Sequence, residues 1–158
     1  MKKNIIAIAF FDKKIKGTIH FYESPDKIQI DIDFEGFKKN STHGIHIHEA
    51  GDLTDNCLGA CSHFNPYNVS HGGIHSKVRH IGDLGNIHAD ENGCIKTKIS
   101  DTLIKLRGSK CNIIGRSVVI HEDADDNGIG NFPDSLTTGH SGKRIACAVI
   151  GYSKKMFC

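Results

Sequence analysis

Alternation with a period of two runs through this chain and restricts it to a β-rich fold. Ile28, Ile30, Ile32 and Phe34 alternate with Gln29, Asp31 and Asp33. Ile15, Gly17, Ile19 and Phe21 alternate with Lys16, Thr18 and His20, and Ile95, Thr97 and Ile99 with Lys96 and Lys98. Successive strand side chains point to opposite faces, so each run offers one apolar face to a core and one polar face to water. Val118 to Ile120 and Ala146 to Ile150 are apolar without alternation, which predicts more fully buried strands. Turn signals at Ser24-Pro25-Asp26, Glu91-Asn92-Gly93 and Arg107-Gly108-Ser109 separate the runs. No helix longer than a turn or two, no repeat and no linker is visible. The expectation is an all-β chain, a sandwich or barrel, with residues 1–158 forming one domain.

Composition narrows the function. Net charge is +2, the lysines are dispersed and aromatics make up only 7%, which argues against a dedicated nucleic-acid binder. No apolar run approaches a membrane span. Met1-Lys2-Lys3 is basic, but the stretch Ile5 to Phe11 is broken by Asp12, Lys13 and Lys14 without a small-residue cleavage pattern, so no secretory signal is expected. The default is a cytoplasmic protein, or one of a host cytoplasm or virion if its source is viral. Cysteines at 57, 61, 94, 111, 147 and 158 form no CxxC pair, so zinc-finger and thioredoxin readings are poor.

Chemistry concentrates in the histidines. Ile45 and Ile47 alternate with His46 and His48, which puts both imidazoles on one strand face, about 7 Å apart. His63, His71, His80 and Asp83 follow in a Gly-rich stretch, and His121 ends a β-like run. Seven potential ligands in this order can build two adjacent metal sites. The segments Gly51 to Asp83 and Glu122 to Lys143 are long and strandless, and each begins just after a candidate ligand. Loops of that length in a compact domain are functional or disordered, and their placement favours function. His20, His75, His88 and His140 read as surface or loop residues.

Several stretches carry a family resemblance: Gly44-Ile45-His46-Ile47-His48-Glu49 with Gly51-Asp52; His63-Phe64-Asn65-Pro66; His71-Gly72-Gly73; Arg79-His80-Ile81-Gly82-Asp83-Leu84-Gly85; Gly115-Arg116; Val119-Ile120-His121-Glu122; Asp125-Asp126; and Gly151. In order and spacing, over nearly the whole chain, they resemble copper/zinc superoxide dismutase. The resemblance implies a Greek-key β-sandwich or flattened barrel with two long functional loops. It implies copper on His46, His48, His63 and His121, and zinc on His63, His71, His80 and Asp83, with His63 bridging. Asp125 would hold one ligand of each site, Arg144 would dock the substrate superoxide beside copper, and Cys57 and Cys147 would form a disulfide. His43 matches a structural position. A homodimer is implied, with Ile114-Gly115 and Val149 to Gly151 resembling the contact segments. The donor chemistry agrees: imidazoles hold copper in both oxidation states, and three His with one carboxylate suit a closed structural zinc.

Departures from the family pattern qualify this. Asp123, Ile129 and Thr137 occupy positions where many relatives carry Lys, while Lys143 adjoins Arg144, so steering of the anion is expected to be weaker or rebuilt. Cys61 could compete for Cys147. Tyr152 to Cys158 extend the C-terminus, and Pro133 to Leu136 are atypical. Lys143 and Ile145 flank Arg144 and neither is proline, which implies that a copper chaperone is dispensable. The alternative function is a non-enzymatic copper-binding relative, a chaperone or a decoy. Against it, the chain lacks an MxCxxC domain and keeps every ligand and the arginine.

Overall fold

The structure is a computed structural model and describes residues 4–158. Its strands are β1 (Ile6–Asp12), β2 (Lys16–Glu23), β3 (Ile28–Glu35), β4 (Thr42–His48), β5 (Asp83–His88), β6 (Ile95–Asp101), β7 (Ser117–His121) and β8 (Arg144–Tyr152). They form one antiparallel near-barrel sheet in the order β5-β4-β7-β8-β1-β2-β3-β6. The connections β3 to β4 and β6 to β7 join strands that are not neighbours, and β5 to β6 spans the two ends of the order, which gives the expected Greek-key connectivity. β8 pairs with both β7 and β1 and joins the two halves.

The alternating apolar residues face inward. Ile30, Ile32, Ile19, Phe21, Ile45, Ile47, Ile87, Ile95 and Ile120 are buried in one continuous core. Size alternates across β1 and β2: Ala7 opposes Phe21, Ala9 opposes Ile19, and Phe11 opposes Gly17. Small-against-large pairing lets both strands curve around the interior without voids. On the outer face of β3 and β6, Asp31 opposes Lys98 and Asp33 opposes Lys96.

Three features differ from the sequence reading. β1 does not alternate in polarity, because Ile6, Ile8 and Phe10 face outward between the buried Ala7 and Ala9. β5 starts on a candidate ligand and contains Gly85 at a φ of 81°, so its strand character is masked. β8 is not buried throughout: Ile145 and Val149 are exposed, and only Ala148 and Ile150 are buried.

Both long loops fold back over the outer face of β4 and β7. Ile47 N–H donates to Gly82 O at 2.8 Å and Phe64 N–H to Ile47 O at 2.8 Å, which fixes the first loop along β4. The second loop contains a single helical turn, α1 (Ser135–Thr138), and Leu136 O accepts from His71 N–H at 2.9 Å, tying the loops together. This roof explains why β4 is buried on both faces although its sequence alternates.

Cys57 in the first loop is bonded to Cys147 on β8, 90 residues away. Closing a loop of that length in the unfolded chain is worth about 4.6 kcal/mol in the chain-entropy model. The Cys57→Ser, Cys147→Ser double variant is expected to lose about 4 kcal/mol and about 8–16 °C in melting temperature. Unchanged thermal unfolding on calorimetry would contradict this.

Candidate metal centre

Two irregularities in strand pairing aim the key side chains. Ile120 pairs with Ala146 but His121 with Arg144, which leaves Ile145 as an extra residue. Gly44 pairs with Asn86 but His46 with Asp83, which leaves an extra residue on β5 beside the positive-φ Gly85. A bulge reverses which face the following side chain occupies. Arg144 is thereby set opposite His121, and Asp83 opposite His46. His46 and His48 share the outer face of β4 with ring centroids 6.3 Å apart, and His63 joins them through a bridge to His48.

Hydrogen bonds on the far side of each ring decide which nitrogen is free. His46 Nε2 donates to Asp125 Oδ2 at 2.6 Å, leaving Nδ1 as an acceptor. His48 Nδ1 donates to Cys61 O at 2.8 Å and His121 Nδ1 to Gly142 O at 3.1 Å; carbonyls only accept, so both Nε2 atoms carry lone pairs. Those two Nε2 atoms face each other at 3.4 Å. His46 Nδ1 and His63 Nε2 are buried without a hydrogen-bond partner. Four imidazoles thus turn bare nitrogens toward one point, with ligand atoms within 4.8 Å of one another. Buried polar atoms are otherwise almost always paired, so a cation belongs there.

A second group lies behind His63. Asp83 Oδ1 is 2.9 Å from His63 Nδ1, 3.0 Å from His71 Nδ1 and 3.1 Å from His80 Nδ1, and His63 Nδ1 is 3.3 Å from His80 Nδ1. A tetrahedral zinc with bonds of about 2.0–2.1 Å has edges of about 3.3–3.4 Å, close to these separations. His46, His63, His71 and Asp83 also have ligand atoms within 4.8 Å of one another. His80 is the better fourth member because it touches both Asp83 and His63, whereas the free nitrogen of His46 belongs to the four-imidazole group. His71 Nδ1 is close to Asp83 yet poorly aligned for a hydrogen bond, and it is unpartnered by that criterion. Asp83 Oδ2 is occupied by the N–H groups of Gly72 at 3.1 Å and His80 at 2.8 Å, which leaves Oδ1 for the imidazoles.

Supporting contacts lock these positions. Asp125 reaches both groups, because its Oδ1 accepts from His71 Nε2 at 2.8 Å. Asn86 holds Asp125 by its backbone, accepting from Asp125 N–H at 2.7 Å and donating to its carbonyl at 2.9 Å. His43 donates from Nδ1 to His121 O at 2.7 Å, a structural role outside the donor sets. Buried Arg79 donates to Asp83 O at 2.5 Å and pairs with Asp101. The roles of Asn86 and Asp101 carry no sequence signal, since each reads as an ordinary surface polar residue; Arg79 stands in a family-like stretch, which does not display its contacts.

Arg144 lines the open cavity above His48, His63 and His121. Its Nη1 donates to Cys57 O at 2.7 Å and its Nη2 to Cys61 O at 2.5 Å. The guanidinium therefore also braces the disulfide loop, a contact the sequence reading did not foresee.

Burial lowers the protonation of most rings. It pushes His46 well below the ordinary imidazole value, helped by His63 and His121. It lowers His48, with His63 adding to the effect, and holds His121 at about 4. His63 is also lowered by burial, against the pull of Asp83. His71 is the exception: burial lowers it, but Asp125 and Asp83 outweigh this and raise it to about 9. Burial would raise the Asp83 carboxyl, yet the close imidazoles of His63, His71 and His80 hold it far below the usual carboxylate range.

The copper/zinc superoxide dismutase (SODC) family model matches residues 15–150. The chain belongs to the copper/zinc superoxide dismutase family. It is 56% identical over 156 residues to a Cu-Zn superoxide dismutase of Paramecium bursaria Chlorella virus 1, covering 99% of this chain and 83% of that one. It is 45% identical to the Cu-Zn superoxide dismutase of Candida albicans, covering 94% and 97%. An extracellular Cu-Zn superoxide dismutase of Drosophila melanogaster is 46% identical, covering 87% and 76%. The crystal structure of the clock protein EA4 superposes with a TM-score of 0.91 at 41% identity, covering 97% of this chain and 98% of that one.

Ligand protonation in this superoxide dismutase yields a prediction about metal uptake. Zinc held at His71 Nδ1 would have to displace a proton there, so below about pH 9 each unit of added acid should raise the zinc dissociation constant about tenfold. Copper held by the four-imidazole group would meet rings that burial keeps neutral, so its affinity should change little until the pH nears about 4. Competition titrations of the metal-free protein between about pH 6 and about pH 8 check this; equal slopes for the two metals would refute it.

Proposed function

We propose that His46, His48, His63 and His121 hold copper and that His63, His71, His80 and Asp83 hold zinc, in a superoxide dismutase that converts superoxide to dioxygen and hydrogen peroxide. The single observation behind this reading is the sharing of His63, with its unpartnered Nε2 facing the imidazole group and its Nδ1 inside the carboxylate group. When bound, copper supplies one-electron exchange, and zinc supplies a fixed positive charge without redox chemistry.

This chain's residues handle the anion and the protons. Two superoxide anions and two protons yield one dioxygen and one hydrogen peroxide. Arg144 stays charged at any working pH, and its guanidinium N–H groups not engaged by Cys57 and Cys61 can dock the anion at the cavity floor. His63 is the residue placed to hold a proton at Nε2 and pass it to the product. Near-complete burial of His46, His48 and His63 excludes bulk water from the far side. Asp125 keeps the Nε2 proton of His46 and His71 pointed outward, so Nδ1 is the nitrogen each ring can offer to a metal. A non-enzymatic copper carrier does not explain an arginine set at the open face of the donor cluster.

Elemental analysis and superoxide consumption on one sample test this reading; two metals per chain without consumption would refute it. Arg144→Lys keeps the charge but loses the planar fork. It is expected to retain both metals and lower kcat/KM about tenfold, with Arg144→Glu lower still. Unchanged kcat/KM in both variants would remove Arg144 from the anion site.

We extend the proposal to assembly and location. Residues 1–158 act as one domain, and the domain pairs with a second copy through the outer face of β1 and β8 and the neighbouring Ile114-Gly115. That face carries Ile6, Ile8, Phe10 and Val149, where the outer face of β3 and β6 carries paired charges. Ile8→Lys with Val149→Lys should shift the sedimentation coefficient from dimer to monomer, and an unshifted wild-type monomer would contradict the pairing. Free, exposed thiols at Cys61 and Cys158 suit a reducing cytoplasm. A dedicated copper chaperone is dispensable in this proposal. Expression in cells lacking one, followed by thiol trapping, should show the Cys57–Cys147 bond formed.

A further inference from the structure

The first loop holds a third cysteine beside the disulfide. Cys57 is buried and bonded to Cys147, which leaves Cys61 free. Cys61 stands four residues after Cys57, across the short turn Leu58–Ala60, and is exposed. One planar group pins both backbones: Arg144 Nη1 donates to Cys57 O at 2.7 Å and Nη2 to Cys61 O at 2.5 Å. Cys61 Sγ lies 3.6 Å from Gly59 O.

Backbone needs do not account for a cysteine at this place. Cys61 has φ 63° and ψ −147°, at the edge of a region that glycine adopts freely and residues with a Cβ avoid. The conformation is enforced by its neighbours. Its N–H donates to Leu58 O at 3.1 Å, and its carbonyl accepts from His48 Nδ1 at 2.8 Å as well as from Arg144. A glycine could make the same three bonds without the strain. What the side chain adds is an accessible thiol. Chain length then sets the order of encounter. Loop-closure scaling favours contact of Cys57 with Cys61, four residues away, over Cys147, 90 residues away, by about 100-fold in the unfolded chain. Folding reverses the preference, because β8 brings Cys147 against Cys57.

We propose that Cys61 is a redox relay, the entry thiol through which a low-molecular-weight disulfide RSSR oxidises Cys57 and Cys147. The Cys61 thiolate attacks RSSR, forms a mixed disulfide and expels one RS⁻. Cys57 attacks the Cys61 sulfur, forms Cys57–Cys61 and expels nothing but the second RS⁻ if the small thiol leaves from Cys61. Cys147 then attacks the Cys57 sulfur, forms Cys57–Cys147 and returns Cys61 as a thiolate. Each attacking thiol loses a proton and each leaving thiolate gains one. The sum is two protein thiols oxidised to one disulfide and one RSSR reduced to two RSH. This rests on the chaperone-free assembly proposed above and supplies its route.

The test starts from metal-loaded full-length protein whose disulfide has been reduced. Glutathione disulfide is added, thiols are trapped at intervals, and the bonds are mapped on peptides. In the wild type, Cys61 carrying glutathione and the Cys57–Cys61 bond should appear before Cys57–Cys147, and Cys147→Ser should accumulate Cys57–Cys61. Cys61→Ser and Cys61→Gly both lack the thiol, and each should form Cys57–Cys147 about tenfold more slowly, since the external disulfide must then reach a less accessible sulfur. Cys158→Ser, which removes the other exposed free thiol among the described residues, should match wild type. Equal rates in wild type and Cys61→Ser would overturn the relay alone. A wild-type rate in Cys61→Gly would do the same, because it would trace the effect to backbone strain. So would an equal loss in Cys158→Ser, or a Cys147→Ser variant that never joins Cys57 to Cys61. A wild type that forms no Cys57–Cys147 bond would overturn the chaperone-free reading along with the relay.

Discussion

One carboxylate orders the whole centre. Asp125 accepts a hydrogen bond from His46 with one oxygen and from His71 with the other, and so fixes the tautomer of a ring in each donor group. Reversing either ring would point an N–H at the metal position. The loop bearing Asp125 is itself held to β5 by Asn86. A change at the loop thus reaches both groups through contacts of under 3 Å. Strands and the first loop place the rings, and partners from both loops decide which atom is available: Asp125 for His46 and His71, Gly142 for His121, and Cys61 for His48.

The scaffold makes that placement possible through a local exception to strand regularity. Perfect register would leave Arg144 and Asp83 on the wrong faces. An extra residue on each flanking strand, Ile145 on β8 and one beside Gly85 on β5, corrects this. The disulfide then fixes the first loop to β8 close to Arg144, whose guanidinium donates to the carbonyls of Cys57 and Cys61. Loop closure, arginine position and the candidate donor His48, which also donates to Cys61 O, converge on the same few carbonyl groups.

Much of this is legible from residues alone, and the limits are physical. Alternation in β2, β3 and β6 is plain because water lies on one side of the strand and the core on the other, and β4 alternates because its second face carries the histidines that the loops cover. β1 evades it because its outer residues Ile6, Ile8 and Phe10 are apolar, and β5 because a ligand and a bulge occupy a short strand. The uniform apolarity of β8 suggested burial on both faces, whereas Ile145 and Val149 are exposed. The seven candidate donors could be named from their order, and the structure brings them together. Which nitrogen of each ring is free depends on carbonyls and carboxylates contributed from distant segments, and no local pattern carries that. Arg79 and Asp101 matter through their buried pairing and Asn86 through its bonds to the distant Asp125, neither of which a single sequence displays at a polar residue.

The account depends most directly on Asp125 acting on both donor groups at once. Paired zinc and copper titrations of Asp125→Ala, in protein shown by circular dichroism to remain folded, measure this. Loss of its hydrogen bonds should weaken both metals, each by about 10–100-fold. Weakening of one metal alone, or of neither, would contradict the claim that a single carboxylate sets the two sites together.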